Sequence, residues 1–357
     1  LTTSSAASDV YKRQPFHHQM NLKKLVKAFK QPDSIIVNEI WWNSLARHSD
    51  IILPANTSIE KNDIGIRHWD QTISPMQKII EPIGESKSDY EIFSEISAKL
   101  NFKDKFTENR NEDQWLRYMW EEAKEGAKES GFNLPEFDKF WKNGFQEVLS
   151  PKKQTILLEE FIKDPIKNSI STPSGKIEIF SETIESFNYK DCPGHPIWLE
   201  QDEWLGSPLT KQYPLQLISG QPYNRLHSQL DNGSESQKDK ISGREAVKIH
   251  PQDALTRKLN DGDIVEIFNK RGRCLAGVVI SKEVMKGVVF LPVGAWYDPI
   301  EDGGFCVHGN PNVLTADIGT SSLSQGPSAH STLVEVKKFM KELPPINILD
   351  KPNIVNK

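Results

Sequence analysis

The amino-acid sequence predicts an α/β block with a parallel sheet, followed by an all-β barrel, in a chain of 357 residues. Strand-like and helix-like segments alternate over the first hundred residues, whereas short strands separated by turns predominate from residue 213 onward. Strands that alternate with helices are typical of parallel sheets, and closely spaced short strands with few helices are typical of barrels. The length allows two domains or more.

The α/β block begins with two short strands. Residues 35–38 and 50–54 are rich in aliphatic and β-branched residues, and residues 42–48 between them have the length of a short helical crossover. Residues 89–100 then predict an amphipathic helix, because apolar side chains recur at helical spacing at Ile92, Phe93, Ile96 and Leu100.

Residues 110–165 combine charged and aromatic residues, and we interpret them as helices that cover the sheet with their aromatic side chains facing the core. The Pro-Ser-Gly sequence at 173–175 predicts a turn, with a strand continuing to Phe180. Residues 191–212 contain several Pro, Gly and Trp residues, a composition that indicates a link between domains.

In the barrel we expect strands at 215–218, 264–269, 274–280, 287–293 and 332–336, a hairpin turn at 270–273 and one helix at 251–259. The predicted organisation is a non-native segment at 1–14, a partial α/β domain with a helical insertion at 15–190, a linker at 191–212, a barrel domain at 213–340 and a surface tail at 341–357.

Composition excludes several function classes. Hydrophobic residues make up 37% and charged residues 26%, with a net charge of -5, so no basic surface points to nucleic acid. No apolar run approaches the roughly 18 residues that a membrane-spanning helix needs. The cysteines, Cys192, Cys274 and Cys306, are widely spaced and odd in number, which argues against a disulfide framework and against a cysteine-ligated metal.

The first fourteen residues do not resemble a signal peptide, because they lack both a charged start and an apolar stretch. We interpret them as a non-native scar joined to a truncated gene. On this interpretation the chain is a fragment of a larger multidomain enzyme.

Two segments, 219–232 and 308–326, carry the densest polar side chains of the chain, and each adjoins a predicted strand. Hydrogen-bonding groups at this density, anchored to strands, fit a large polar ligand. The alternative is that these side chains cap their own turns. His308 lies in a Gly-Asn-Pro-Asn context that favours a cofactor loop over catalysis.

Several runs resemble the molybdopterin oxidoreductases of the dimethyl sulfoxide, trimethylamine N-oxide and biotin sulfoxide reductase group. They are Pro-Phe-His-His-Gln at 15–19, Arg-Leu-His-Ser-Gln at 225–229 and Gly-Ala-Trp-Tyr-Asp-Pro at 294–299. The resemblance extends from residue 15 to about residue 339. It implies that the barrel is a double-psi barrel and that the chain is the C-terminal portion of such an enzyme.

The resemblance also implies cofactor contacts, at His18, Glu39, Lys61, Asp89, Ser219, Gln221, Pro222, Arg225, His227, Ser228, Gln229, Asn312 and Gln325, with Thr320 and Ser321 beside the last of them. Glu39 or Asp89 would accept the two guanine donors; the alternatives for this pair are a helix cap and a surface charge. Trp296 and Tyr297 would either border the substrate funnel or pack in the interior.

The implied cofactor is bis(molybdopterin guanine dinucleotide) molybdenum, and the implied reaction is two-electron removal of oxygen from an S-oxide or N-oxide in anaerobic respiration. The resemblance puts the metal ligand and the catalytic residues upstream, so none is assigned in this sequence. The expected partners are the oxide, a cytochrome or other electron donor, and the missing N-terminal half. We expect no membrane insertion, and favour the periplasm over the cytoplasm.

Three alternatives remain open. A nitrate or formate enzyme would use the same cofactor on another substrate, and its different metal ligand would distinguish it. A non-catalytic double-psi barrel could bind a substrate or an adaptor, although the α/β block argues against this. A fragment without its N-terminal half could also be inactive alone.

Overall fold

The computed structural model describes residues 15–66, 72–147, 156–301 and 305–352. The helices are α1 Pro15–His18, α2 Leu22–Phe29, α3 Asp89–Lys99, α4 Lys103–Thr107, α5 Glu112–Glu129, α6 Phe137–Asn143, α7 Glu159–Lys163, α8 Glu182–Glu185, α9 Ser234–Lys238 and α10 Pro251–Thr256. The strands are β1 Ile36–Glu39, β2 Ile51–Pro54, β3 Asp63–Ile66, β4 Thr72–Met76, β5 Gln146–Glu147, β6 Leu215–Ile218, β7 Ala246–Ile249, β8 Ile264–Phe268, β9 Arg273–Ile280, β10 Val288–Phe290, β11 Pro299–Glu301, β12 Phe305–Cys306 and β13 Leu333–Lys338.

Six strands close into a barrel. Their order is β9-β7-β10-β6-β13-β8, and β8 pairs again with β9 to complete the ring. Side chains on alternate positions point inward, as in β6, where Leu215 and Leu217 are buried and Ile218 is exposed. The all-β barrel expected from the sequence is therefore confirmed.

The pairing of the strands decides which loops meet. β6 runs parallel to β10, with Gln216 opposite Val288, and antiparallel to β13, with Gln216 opposite Leu333. The carboxyl ends of β6 and β10 therefore lie at the same edge of the barrel as the amino end of β13. The loops after β6, after β10 and before β13 all emerge there.

The N-terminal helices belong to the barrel unit. Phe16, Leu22 and Val26 are buried in the same apolar core as the inward side chains of the barrel strands. The compact unit accordingly contains described residues up to 37, residues 41–51 and residues from 179 onward. This division differs from the predicted one, which assigned 15–190 to a single block, because helices α1 and α2 bury their apolar face in the barrel core.

A second unit comprises residues 38–40 and the described residues of 52–178. Strands β3, β4 and β5 form an antiparallel sheet, on which helices α5 and α6 pack. Trp120 and Phe140 stack with their ring centroids 3.8 Å apart. Trp120, Phe137 and Phe140 thus form a core, as the sequence predicted, whereas Tyr118 and Phe145 are exposed.

The extended parallel sheet expected in this region is not confirmed. β1 and β2 form a two-stranded sheet, separated by a short 3-10 helix at Ala46–His48. Hydrogen bonds from Asp50 N to Ile35 O and from Ala55 N to Glu39 O advance in the same direction, which is the parallel pattern. After β2 the chain enters the antiparallel β3–β4 pair, so the parallel order does not continue.

Three local predictions are corrected. Residues 176–180 form no strand, and Ile177 and Ile179 are exposed because no strand in the described part of the chain pairs with them. In helix α3 the side chain of Ile92 is buried, whereas Leu100 is exposed and the apolar stripe is only partly covered. The tail is not a free surface extension, since Ile348 is buried and its amide donates to Asp298.

Two further predictions fall partly or wholly outside the described residues. The predicted non-native segment 1–14 lies wholly outside the described residues, and the predicted tail lies outside them beyond residue 352. Among the helices that are described, none is long and apolar enough to cross a membrane.

Candidate functional site

Three loops meet at one end of the barrel. Val293 N donates to Gly220 O over 3.0 Å, which joins the loop after β10 to the loop after β6. Ser219 N lies 3.4 Å from His330 Nδ1, which joins the loop after β6 to the segment before β13. The two polar segments identified in the sequence also approach each other, since Asp231 Oδ2 is 3.6 Å from His308 Nδ1, and His308 Nδ1 is 3.0 Å from Trp296 O in the Gly294–Pro299 run.

The loop after β6 presents a buried hydroxyl and a pair of polar side chains, of which Gln221 is exposed and His227 is partly buried. Ser219 Oγ is buried and has no hydrogen-bond partner among the described residues. Gln221 Oε1 accepts from His227 N at 3.2 Å, and Gln221 Nε2 lies 2.9 Å from His227 Nδ1. Pro222 and Gln229 lie in the same loop, partly buried.

A glycine allows this loop to approach the next one. Gly294 has a φ of +102°, and a Cβ atom there would lie 2.0 Å from His227 O. His227 itself has a φ of 54°, in the left-handed region. The two loops therefore pack backbone against backbone, which any side chain at position 294 would prevent.

Helix α1 also lies at this end of the barrel. Asn310 Nδ2 donates to Phe16 O at 2.9 Å, and Asn312 Nδ2 donates to His17 O. His17 Nε2 is 3.1 Å from His227 Nδ1. The structure thus brings His17 into the site, whereas the resemblance favoured His18, whose side chain lies outside the described part of the chain. Two adjacent histidines were the available signal, and the resemblance selected the second of them.

The second polar segment uses many of its side chains within itself. Thr320 Oγ1 donates to Ser324 O at 2.8 Å, and Ser324 N donates to Ser321 Oγ at 2.9 Å. Gln325 Nε2 donates to Ser321 O at 3.1 Å, and the buried Asn312 amide holds helix α1. These contacts match the turn-capping alternative, and cofactor contacts from Asn312 and Gln325 stay predictions.

A ring of four buried charges lies next to the loops. Arg225 Nη2 is 2.7 Å from Glu245 Oε2, and Lys240 Nζ is 3.0 Å from the same oxygen. Lys240 Nζ is 2.9 Å from Asp231 Oδ1, and Arg225 Nε is 3.6 Å from that oxygen. Cations and carboxylates thus alternate. Lys240 and Glu245 lie outside both polar segments, and no pattern in the sequence pointed to them.

His308 borders this ring. Its Nδ1 is 3.0 Å from Trp296 O, so the Nδ1–H donates to the carbonyl and Nε2 carries the lone pair. Burial and the nearby positive charge of Lys240 lower its pKa from 6.5 to about 4. Burial alone would raise the pKa of Asp231, but the charges of Lys240 and Arg225 and the Trp296 amide outweigh it, and that pKa is lowered.

Both aromatic residues of the proposed funnel are buried. Trp296 Nε1 donates to Ser228 O at 2.8 Å, and Trp296 N donates to Asp231 Oδ2 at 2.8 Å. Tyr297 is completely buried in the barrel core, and its backbone is held by Ser44. Their placement agrees with the packing alternative, and a funnel role for either ring stays a prediction.

The remaining predicted residues lie in the second unit. Glu39, buried at the carboxyl end of β1, accepts from Ile40 N at 3.0 Å. Asp89 Oδ1 accepts from Asn38 Nδ2 at 3.2 Å, and Ser88 caps helix α3 instead of Asp89. Lys61 Nζ lies 3.7 Å from Asp63. Asn38 thus places the carboxylates of Glu39 and Asp89 at the same end of β1.

Two known domain families match parts of this chain. Residues 215–333, which contain all three barrel loops, match the model described as "Molydopterin dinucleotide binding domain". Residues 5–99 match the model described as "Molybdopterin oxidoreductase". The chain belongs to the molybdopterin oxidoreductase family.

Among its relatives, this molybdopterin oxidoreductase chain is 42% identical to a trimethylamine-N-oxide reductase of Haemophilus influenzae, over 96% of the chain and 42% of the relative. It is 41% identical to a dimethyl sulfoxide/trimethylamine N-oxide reductase of Rhodobacter capsulatus, over 91% of the chain and 40% of the relative. The chain therefore spans about two fifths of the length of these relatives.

A solved structure shares the fold. The acetylene hydratase of Pelobacter acetylenicus superposes with a TM-score of 0.67 at 19% identity, over 91% of this chain and 43% of that one. At this identity the similarity supports the fold of the molybdopterin oxidoreductase chain and nothing about its substrate.

The groups at the end of the barrel fit a pterin dinucleotide. The cofactor needs hydrogen-bond partners for a pyrophosphate and for the polar edges of the pterin. The buried Ser219 hydroxyl without a partner among the described residues, and the exposed amide of Gln221 beside His227, are groups of this kind. The donor set thus agrees with a molybdopterin cofactor.

Proposed function

We propose that the protein is a molybdenum-dependent reductase of S-oxides or N-oxides, such as trimethylamine N-oxide, dimethyl sulfoxide or biotin sulfoxide. The observation that carries this proposal is the 42% identity to a trimethylamine-N-oxide reductase over 96% of the chain. The substrate would lose its oxygen by two-electron reduction, and water would be released. A cytochrome or another donor would deliver the electrons.

The proposed cofactor is the bis(molybdopterin guanine dinucleotide) form of molybdenum. When bound, it supplies the oxygen-atom and electron transfer, and the protein supplies position and electrostatics. Ser219, Gln221 and His227 would contact the pterin and the pyrophosphate. In the second unit, Glu39 or Asp89 would accept the guanine donors, and Lys61 would face a phosphate.

The same proposal extends to the topology of the barrel, to the cellular compartment of the protein and to its metal site. A double-psi arrangement of the barrel is supported by its six strands and by the parallel pairs β6–β10 and β7–β9. A periplasmic location and a contribution of further chain to the metal site are both supported by the resemblance to the reductase group.

The first test is cofactor content. The chain should be expressed within its complete reading frame in a host that makes the molybdenum cofactor, and the purified protein assayed for molybdenum and for GMP after acid hydrolysis. We expect about two GMP per molybdenum, because one dinucleotide would bind on each side of the metal. The same protein from a host without the cofactor pathway is the control.

A folded protein with neither molybdenum nor GMP would contradict the proposal. For a loaded protein, reduction of trimethylamine N-oxide, dimethyl sulfoxide and biotin sulfoxide should be compared with reduction of nitrate, using a reduced dye as donor. Turnover of nitrate alone would exclude the oxide reductase assignment while leaving the cofactor in place.

The guanine contact has its own test. Glu39→Gln should lower retained GMP by about tenfold, because one oxygen of the carboxylate is replaced by a donor that cannot accept from guanine. Glu95→Gln, on the exposed face of helix α3, is the matched control. GMP content equal to that of the control would assign guanine recognition to another residue, with Asp89→Asn as the next variant.

A further inference from the structure

The buried charge ring joins all three loops of the site. Arg225 and Asp231 belong to the loop after β6, and Arg225 Nη2 donates to Val293 O at 3.2 Å. Asp231 Oδ2 accepts from Trp296 N at 2.8 Å. Glu245 N donates to His308 O at 3.1 Å, at the start of the second polar segment. The side chains of Arg225 and Asp231 therefore hold the loop after β6 against the loop after β10, and the backbone of Glu245 holds the His308 segment. Lys240 pairs with both Asp231 and Glu245 and so connects these contacts.

The position of Arg225 bears on its predicted role. Its side chain is 2% exposed, and its guanidinium faces the carboxylates of Glu245 and Asp231 and the carbonyl of Val293. The donors of this arginine are therefore directed into the protein. This placement differs from the direct cofactor contact that the resemblance implied for Arg225.

We propose that Arg225, Asp231, Lys240 and Glu245 are positioning residues, which hold the three loops in the shape that binds the molybdopterin dinucleotide without touching it. The proposal rests on the proposed function, because it takes the dinucleotide as the ligand of these loops. It assigns a role to Lys240 and Glu245, which neither the sequence pattern nor the polar segments identified.

The physical reason is that the ring fixes geometry more than it adds stability. A buried ion pair gains little over apolar packing, whereas loss of one partner leaves an unpaired charge in the interior. Hydrogen bonds to charged groups are directional. The two carboxylates and two cations balance, so each loop has a favourable position only while all four partners are present.

The test compares two lysines. Lys240 is 1% exposed within the ring, whereas Lys248 on β7 pairs with Glu283 at the surface and is 40% exposed. Lys240→Met should accelerate amide hydrogen exchange at 221–231 and lower bound GMP by about tenfold or more, with the circular dichroism of the barrel retained. Lys248→Met should leave both values as in the unmodified protein.

A balanced double variant separates position from charge balance. Lys240→Met with Glu245→Gln removes one charge of each sign, so the interior stays neutral. We expect its melting temperature to recover relative to the single variant, while exchange at 221–231 stays fast and GMP stays low. Recovery of the full GMP content in this variant would show that cofactor binding needs only a balanced charge in the interior, and this result would overturn the proposal.

Two further outcomes are decisive. A folded Lys240→Met protein with exchange rates and GMP equal to those of Lys248→Met would overturn the positioning role. If Lys240→Met does not fold, Asp231→Asn gives the same comparison with size conserved. Hydrogen exchange is measured without cofactor, so absence of GMP from the unmodified protein would contradict the proposed function and leave the test of the ring intact.

Discussion

At the scale of the residue, His308 makes the stability of the barrel depend on pH. Its pKa in the folded chain is lowered from 6.5 to about 4, because it is fully buried next to Lys240. The unfolded chain therefore binds this proton more tightly. The stabilisation is complete above pH 6.5 and is lost as the pH falls toward 4, by about 3 kcal/mol from this residue.

His308→Gln should remove this part of the pH dependence, because a glutamine keeps a donor for Trp296 O and does not titrate. Urea unfolding at several pH values between 7 and 4 measures the difference in the free energy of unfolding between the two proteins. Equal slopes would show that His308 takes up its proton in the folded state. Carboxylates that do not face His308 contribute equally to both curves and cancel, whereas Asp231 lies 3.6 Å from His308 and its lowered pKa depends in part on it.

Some residues of the candidate site could be predicted from the sequence, and others could not. Gln221 and His227 were recognisable because polar side chains next to a strand are a local property of the sequence. Lys240 was not recognisable, because its role depends on ion pairs with Asp231 and Glu245, and these pairs form only when the barrel closes. Asn312 shows the reverse case: its type suggested a ligand contact, and in the structure its amide holds helix α1.

At the scale of the element, the loops of the site depend on one glycine. Gly294→Ala should destabilise the barrel by about 3 kcal/mol or more, because its Cβ would collide with the His227 carbonyl as well as requiring an unfavourable φ. Gly262→Ala is the matched control: its φ is +82° and nothing lies within 4 Å of the added atom. We expect it to cost about 1 kcal/mol in urea unfolding.

If both variants unfold at the same urea concentration, the close approach of the two loops is not a constraint. Bound GMP should follow the same order, with a loss in Gly294→Ala and retention in Gly262→Ala. A stable Gly294→Ala protein that retains full GMP would show that the loops can separate without affecting the cofactor.

The longer strands were predictable from sequence and the shortest were not. Residues 264–268 are apolar apart from Glu266, and residues 274–280 carry no polar side chain after Cys274, so both strands were expected close to their observed bounds. β11 and β12 span three and two residues, too few for a pattern of alternation. The run before Phe180 alternates like a strand but finds no partner, since pairing is decided by the fold and not by local sequence.

At the scale of the whole molecule, the described chain exposes large apolar side chains between residues 179 and 198. Ile179 is 82% exposed and Trp198 is 72% exposed, with Phe180, Phe187 and Ile197 each 45–49% exposed between them. Exposed apolar side chains concentrated in one segment promote association. The chain spans about two fifths of the length of its curated relatives. The exposed apolar side chains of the 179–198 segment are the ones to test for self-association of the chain alone.

We expect the purified 357-residue chain to bind the dye ANS and to self-associate in sedimentation measurements. Ile179→Ser with Trp198→Ser should lower the ANS fluorescence by about twofold or more, since both changes remove exposed apolar area. Leu255→Ser is the matched control: this leucine is 78% exposed on helix α10 and does not belong to the 179–198 segment. An equal drop in fluorescence for the control would assign dye binding to scattered apolar residues. Unchanged fluorescence in the double variant would exclude the 179–198 segment as the surface that binds the dye and mediates self-association.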